Sequence, residues 1–143
     1  MDFARIFEFV GNHPILILAF VGTLGAFFAS EIMGRLNGMK SVNPTQATQL
    51  SNREHAVFLD TRDDAEYSAG HIPEAVHIPL KQLPQRVAEL NKYKDHPVIA
   101  YCRSGNRSNS VGSVLKKNGF ESVYNLGGGI AAWQKANLPV RKN

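Results

Sequence analysis

The sequence predicts an α/β domain built on a parallel sheet with helices on both faces, preceded by one N-terminal transmembrane helix. Three observations point there. Residues 14–30 form a run of 17 without a charge. The segments 56–59 (Ala-Val-Phe-Leu) and 98–101 (Val-Ile-Ala-Tyr) are short and continuously apolar, as strands covered on both faces are. Stretches with helical spacing alternate with such segments, which is the pattern of a parallel sheet. The 143 residues are 43% hydrophobic and 20% charged, so a disordered tail, a collagen-like repeat and a multi-span membrane protein are excluded.

As a helix, residues 14–30 rise about 26 Å at 1.5 Å per residue. With Ile32, Met33 and Phe7, Phe9 and Val10 as interfacial flanks, the helix crosses a hydrocarbon core of about 30 Å. A buried core helix would carry a polar face, and this run has none. A cleaved signal peptide would have a basic leading region and small residues before the cut. Here Arg5 is offset by Asp2 and Glu8, and Phe27 or Phe28 falls three residues before a cut after Ala29 or Ser30. The expectation is an uncleaved anchor at 1–35, spanning about 14–33, then a linker at 36–41 and a folded domain at 42–143. Arg35, Lys40 and Arg53 follow the span and only Arg5 precedes it, so the positive-inside rule puts the folded domain in the cytoplasm. Ala19, Gly22, Thr23, Ala26 and Ser30 form a stripe of small residues, which is ordinary in a membrane span and also permits close helix pairing.

In the folded domain, Asn43-Pro44 offers an N-cap and a first-turn proline for a helix to about residue 50. The strand at 56–59 follows. Residues 63–69 read as a short helix ended by Gly70. Residues 76–78 make a brief strand. Leu83, Val87 and Leu90 give residues 80–90 a helical period. The strand at 98–101 leads into Cys102-Arg103-Ser104-Gly105-Asn106-Arg107-Ser108. A helix over 108–118 turns Val111, Val114 and Leu115 inward and stops at Gly119. A strand at 123–124, a loop at Gly127-Gly128-Gly129 and a helix over 130–136 complete the chain.

Net charge is +4, too mild to point to nucleic acid. It is unevenly spread: residues 41–79 hold two basic and six acidic side chains, residues 80–143 eleven and three. Solvated helix faces account for most of this, and an anionic substrate would be drawn to the basic side. With a single cysteine, Cys102, an intramolecular disulfide and a cysteine-based zinc cluster are both excluded.

That cysteine lies at the C-terminal end of a parallel strand, where open α/β sheets bind ligands. Its loop runs into a helix N-terminus, whose unpaired N–H groups and positive dipole end favour an anion. Arg103 and Arg107 add positive charge, and Gly105 lets the backbone curl so that amides face inward. Together these are expected to lower the thiol below its free value of about 8.5 and to hold a thiolate. A buried structural thiol is the plain alternative, but Arg-Ser-Gly-Asn-Arg-Ser cannot continue a core strand.

Over residues 42–140 the chain resembles the rhodanese-like sulfurtransferase family, through Asp60-Thr61-Arg62, Glu66-Tyr67, Gly70-His71-Ile72-Pro73, His77-Ile78-Pro79, the 101–108 segment, Asn125-Leu126-Gly127-Gly128-Gly129 and Trp133. With its anchor, it is similar to the small membrane-attached rhodaneses of bacteria, which implies a single-pass protein of the inner membrane. The resemblance implies a rhodanese-like parallel sheet at 42–143 and transfer of a sulfane sulfur. Cys102 would be the nucleophile and would carry a persulfide, cradled by Arg103, Ser104, Gly105, Asn106, Arg107 and Ser108. The donor would be a small anion such as thiosulfate, and the acceptor cyanide or a thiol, low-molecular-weight or protein. No metal or organic cofactor is implied. Lacking a second cysteine, the chain needs an external acceptor.

Arg62 is a possible substrate contact, although in the family its pair with Asp60 is mainly a buried ion pair. His71 and His77 read as hydrogen-bonded scaffold, and Trp133 as a core anchor. The glycines at 127–129 lack the Lys-Ser or Lys-Thr of a phosphate loop. Related phosphatases hold one residue more between cysteine and arginine than the four separating Cys102 from Arg107, and the smaller ring suits sulfur better than a phosphoryl group. The alternative function is a membrane-tethered adaptor or persulfide carrier that docks a protein partner without turning over by itself.

Overall fold

The computed structural model describes residues 3–37, 39–105 and 108–143. The chain forms two units, Met1–Asn37 and Gly38–Asn143. In the first, α1 (Phe3–Asn12) and α2 (Pro14–Asn37) meet at His13. The Pro14 ring supplies no N–H, yet the ladder continues on either side: His13 N–H donates to Phe9 O and Ile17 N–H to His13 O, each at 3.1 Å. The stretch Pro14–Ile32 is long and apolar enough to cross a membrane, and none of it is buried against protein. By length and composition it fits an anchor or a signal sequence. Its hydroxyls are satisfied within the helix: Thr23 Oγ1 donates to Ala19 O and Phe20 O, and Ser30 Oγ to Phe27 O. The helix runs on to Asn37, past the boundary expected at 35.

In the second unit five strands, β1 (Lys40–Val42), β2 (Val57–Asp60), β3 (Val76–His77), β4 (Val98–Tyr101) and β5 (Val123–Leu126), form one sheet in the order β1-β5-β4-β2-β3. Every pairing is parallel. β1 corrects the expected linker at 36–41: Lys40, Ser41 and Val42 pair with Tyr124, Asn125 and Leu126. Two polar residues hide this strand from a hydrophobicity pattern, because only Val42 is buried at the sheet edge.

Side chains alternate between two cores. On one face Val42, Phe58, Ile99, Tyr101 and Leu126 pack with Ala47 of α3 (Pro44–Glu54) and with Ile130 and Trp133 of α7 (Gly129–Lys135). On the other, Leu59, Val98, Ala100 and Val123 pack with Leu83 of α5 (Leu83–Arg86) and Val111 and Leu115 of α6 (Ser108–Lys117). α3 opens on a reciprocal cap, Asn43 Oδ1 accepting from Gln46 N–H while Gln46 Oε1 accepts from Asn43 N–H. α4 (Asp64–Ala69) is the short helix expected before Gly70.

The single helix expected over 80–90 is instead a 3₁₀ turn (Leu80–Gln82), α5 and a second 3₁₀ segment (Val87–Tyr93). A continuous helix would need the residue-84 N–H to reach Leu80 O, and Pro84 has none. The periodicity survives because Leu83 and Leu90 are still buried.

Candidate functional site

All strands being parallel, their C-terminal ends share one edge, where the segments after β2, β4 and β5 meet. Cys102 leaves β4 there and is 3% exposed. Gly105 N–H donates to Cys102 Sγ at 3.0 Å. This turn needs glycine: φ at Gly105 is +89°, and a β-carbon would lie 3.3 Å from Gly128 N. Arg103 and Ser104 are exposed. Asn106 and Arg107 lie outside the described residues, and Ser108 is the first residue of α6.

The 127–129 loop is not the bland connection the sequence suggested. Gly129, at φ +59°, lies directly against the cysteine: a β-carbon there would overlap Cys102 O and come within 2.6 Å of Arg103 O. Beyond it, Ile130 N–H donates to Cys102 O at 3.0 Å and Ala131 N–H to Arg103 O at 3.4 Å. The start of α7 thus fastens the first two residues of the cysteine loop by their carbonyls. Three consecutive glycines were the available signal, and their meaning depends on Cys102, 27 positions before Gly129 in the chain.

Asp60 and Arg62 sit beside this loop, 0% and 5% exposed. Arg62 Nε and Nη2 grip both carboxylate oxygens of Asp60 at 2.7–3.2 Å, and Nη2 also donates to Gly70 O. Burial disfavours the guanidinium charge, but the hydrogen bond and charge of Asp60 outweigh it and raise its pKa. The ring of Tyr101 lies 5.6 Å below Arg62 Cζ. Burial, then the Asp60 charge, push the Tyr101 phenol far above its ordinary range, so it stays a neutral hydroxyl and accepts from Ile72 N–H at 3.1 Å. Arg62 also borders a cavity of about 360 Å³ with Glu66, Arg103, Ile130 and Gln134.

The two histidines are held by backbone groups: His71 Nδ1 lies 2.9 Å from Tyr67 O, and His77 Nε2 lies 2.8 Å from Arg62 O. Their rings stack on opposite sides of Tyr67, at 3.9 and 4.2 Å. Trp133 packs edge-on to Phe58 and donates Nε1–H to Pro139 O. Among the described residues no cluster of three or more His, Cys, Asp or Glu side chains is arranged to hold a metal.

The rhodanese-like domain family matches residues 43–136, which takes in all of this edge. The chain belongs to that family. The uncharacterized protein YibN of Escherichia coli K12 is 35% identical over 95% of this chain and 96% of its own, a span that includes the apolar N-terminal helix. A protein named sulfurtransferase from Allochromatium vinosum is 39% identical over 69% of this chain and 94% of its own. Among solved structures, a rhodanese-related protein from Thermoplasma volcanium superposes with a TM-score of 0.65 at 25% identity, covering 73% of this chain and 99% of that one. These relatives place the rhodanese domain in a class associated with sulfur transfer.

Proposed function

We propose that the protein is a membrane-tethered sulfurtransferase in which Cys102 carries the transferred sulfur. One observation carries the reading: the Gly105 N–H points at Cys102 Sγ from 3.0 Å, at the C-terminal end of a central parallel strand. A backbone N–H donor aimed at sulfur favours its negative form, and with it both the attacking thiolate and the persulfide that follows.

The reaction has two halves. The Cys102 thiol gives its proton to solvent, and the thiolate attacks the outer sulfur of an anionic donor such as thiosulfate. The donor's sulfur–sulfur bond breaks, sulfite leaves with the electron pair, and a new bond joins that sulfur to Cys102. An acceptor thiolate, or cyanide, then attacks the outer sulfur and returns the electron pair to Cys102. Arg103, with Arg107 in the same loop, supplies positive charge for the donor, and the Ser104 to Ser108 segment cradles the persulfide. Arg62 is a support in this scheme, because Asp60 and Gly70 occupy its Nε and Nη2. The apolar helix α2 holds the domain at the membrane, with the catalytic part in the cytoplasm.

Intact mass of the protein after incubation with thiosulfate tests this. A one-sulfur increase, absent in Cys102→Ser and discharged by cyanide or a thiol, is the expected result. An unmodified Cys102 across thiosulfate, mercaptopyruvate and a protein persulfide would favour the adaptor instead.

A further inference from the structure

Parallel strands covered on both faces are apolar throughout, and Asn125 breaks that rule in β5. It pairs with Ala100 of β4 on one side and Ser41 of β1 on the other. By alternation it shares the sheet face of Val123, which packs with Ala100 and with Val111 and Leu115 of α6. Its Oδ1 is the sole buried side-chain N or O atom without a hydrogen-bond partner among the described residues. An orphaned acceptor costs stability, so a purely structural position would be better filled by an apolar side chain.

The other end of the amide explains its presence. Asn125 Nδ2 donates to Gly105 O at 3.4 Å. Gly105 is the residue whose N–H meets Cys102 Sγ. Gly105 sits at φ +89°, and a β-carbon added there would lie 3.3 Å from Gly128 N and 3.5 Å from Leu126 O. Reversing the amide would set Oδ1 against the Gly105 carbonyl, acceptor to acceptor, so the donor is fixed on the loop side.

We propose that Asn125 is a positioning residue for sulfur transfer: its amide N–H holds the Gly105 carbonyl, and through that glycine keeps the N–H donor aimed at Cys102 Sγ. The assignment rests on the reading that Cys102 carries the sulfur. Asparagine is required over aspartate, because a carboxylate offers no donor to Gly105 O and sets a negative charge against that carbonyl.

The experiment uses the full chain with Asn125→Ala and Asn125→Asp, two readouts and a folding control. The first readout is the rate of Cys102 alkylation by iodoacetamide against pH; the second is the rate of one-sulfur loading from thiosulfate. For Asn125→Asp alkylation is expected to be slower than in the wild type across the pH range. Loading should slow about tenfold, less than the 10²-fold or more lost with a direct oxyanion donor. Asn125→Ala should shift both readouts in the same direction by less, at an unchanged thermal midpoint because it also removes the orphaned Oδ1. Wild-type alkylation curves in both variants would overturn the role of Asn125. Wild-type protein that takes no sulfur would overturn the sulfurtransferase reading, while the alkylation curves would still decide whether Asn125 positions the donor.

Discussion

Gly129 lies against Cys102 so closely that no side chain of any size fits between them. A β-carbon at 129 would meet the carbonyl oxygens of Cys102 and Arg103, and the backbone there is left-handed at φ +59°. Both obstacles are backbone, which cannot swing aside as a flexible side chain does. Gly129→Ala therefore carries a conformational cost of about 1–2 kcal/mol for the left-handed residue and a further ~1–3 kcal/mol for overpacking. The expected result is a clear loss of stability in urea unfolding, together with faster Cys102 alkylation as the loop lifts from α7. Wild-type stability would mean that the loop and α7 are not fastened as Ile130 N–H and Cys102 O indicate.

Elements were legible in the sequence where packing and local chemistry agree. β4 is apolar at every position because helices cover both of its faces, and Asn43-Pro44 marks the start of α3 by capping chemistry alone. β1 was hidden because a sheet edge exposes Lys40 and Ser41. The end of β5 was hidden because Asn125 answers to the cysteine loop rather than to a core. The cysteine loop itself was plain, since Gly105 and its arginines cannot belong to a strand. The 127–129 loop was not, because its glycines are dictated by the carbonyls of Cys102 and Arg103, a contact that only the tertiary fold creates.

The Asp60–Arg62 pair is a support whose loss should be felt throughout the sheet edge. Arg62→Met leaves the Asp60 carboxylate buried without its cation, a change worth about 3–5 kcal/mol. Arg62→Lys is not conservative here, since one ammonium cannot reach both carboxylate oxygens and Gly70 O together. Adding Asp60→Asn to Arg62→Met should recover part of the stability in urea titrations. Sulfur-loading constants for the donor should follow stability, and a selective rise in donor KM for Arg62→Lys would instead put Arg62 on the substrate.

Tyr101→Phe removes one oxygen and leaves the packing surface nearly intact. What it exposes is the Ile72 N–H, buried with Tyr101 Oη as its acceptor at 3.1 Å. An unsatisfied buried donor costs about 1–3 kcal/mol. Hydrogen exchange at the Ile72 amide is the direct reporter and should accelerate more than that of neighbouring β4 amides. Equal acceleration across the sheet would indicate global destabilisation without a specific role for the hydroxyl.

The exposed pair Arg86–Glu89 gives a pH dependence with a definite sign. The Arg86 hydrogen bonds, at 2.7 and 3.0 Å, hold the Glu89 carboxyl below its ordinary range. A carboxyl lowered in the folded state adds stability above its unfolded pKa of about 4.3, and that contribution is lost as pH falls through the lower folded value. An NMR titration of Glu89 should show the low midpoint, and Arg86→Ala should return it toward the ordinary value. Because both groups meet solvent, raising the salt should do the same in part.

The N-terminal unit and the rhodanese domain make separate demands on the chain. Among the described residues, every member of the two buried clusters lies between Val42 and Trp133, so the domain's apolar core is built from its own unit. Deleting residues 1–37 is therefore expected to leave the circular dichroism spectrum of the domain and its cooperative melting in place. The same deletion should move the protein from the membrane pellet to the supernatant, because it removes Pro14–Ile32, the one apolar stretch among the described residues that is long enough to span. Intact mass of the membrane-bound protein separates an anchor from a signal sequence: an anchor retains the first 37 residues, and a cleaved signal does not. Full-length mass in the supernatant would show that α2 holds nothing to the membrane, and the proposed sulfur transfer would then take place in solution.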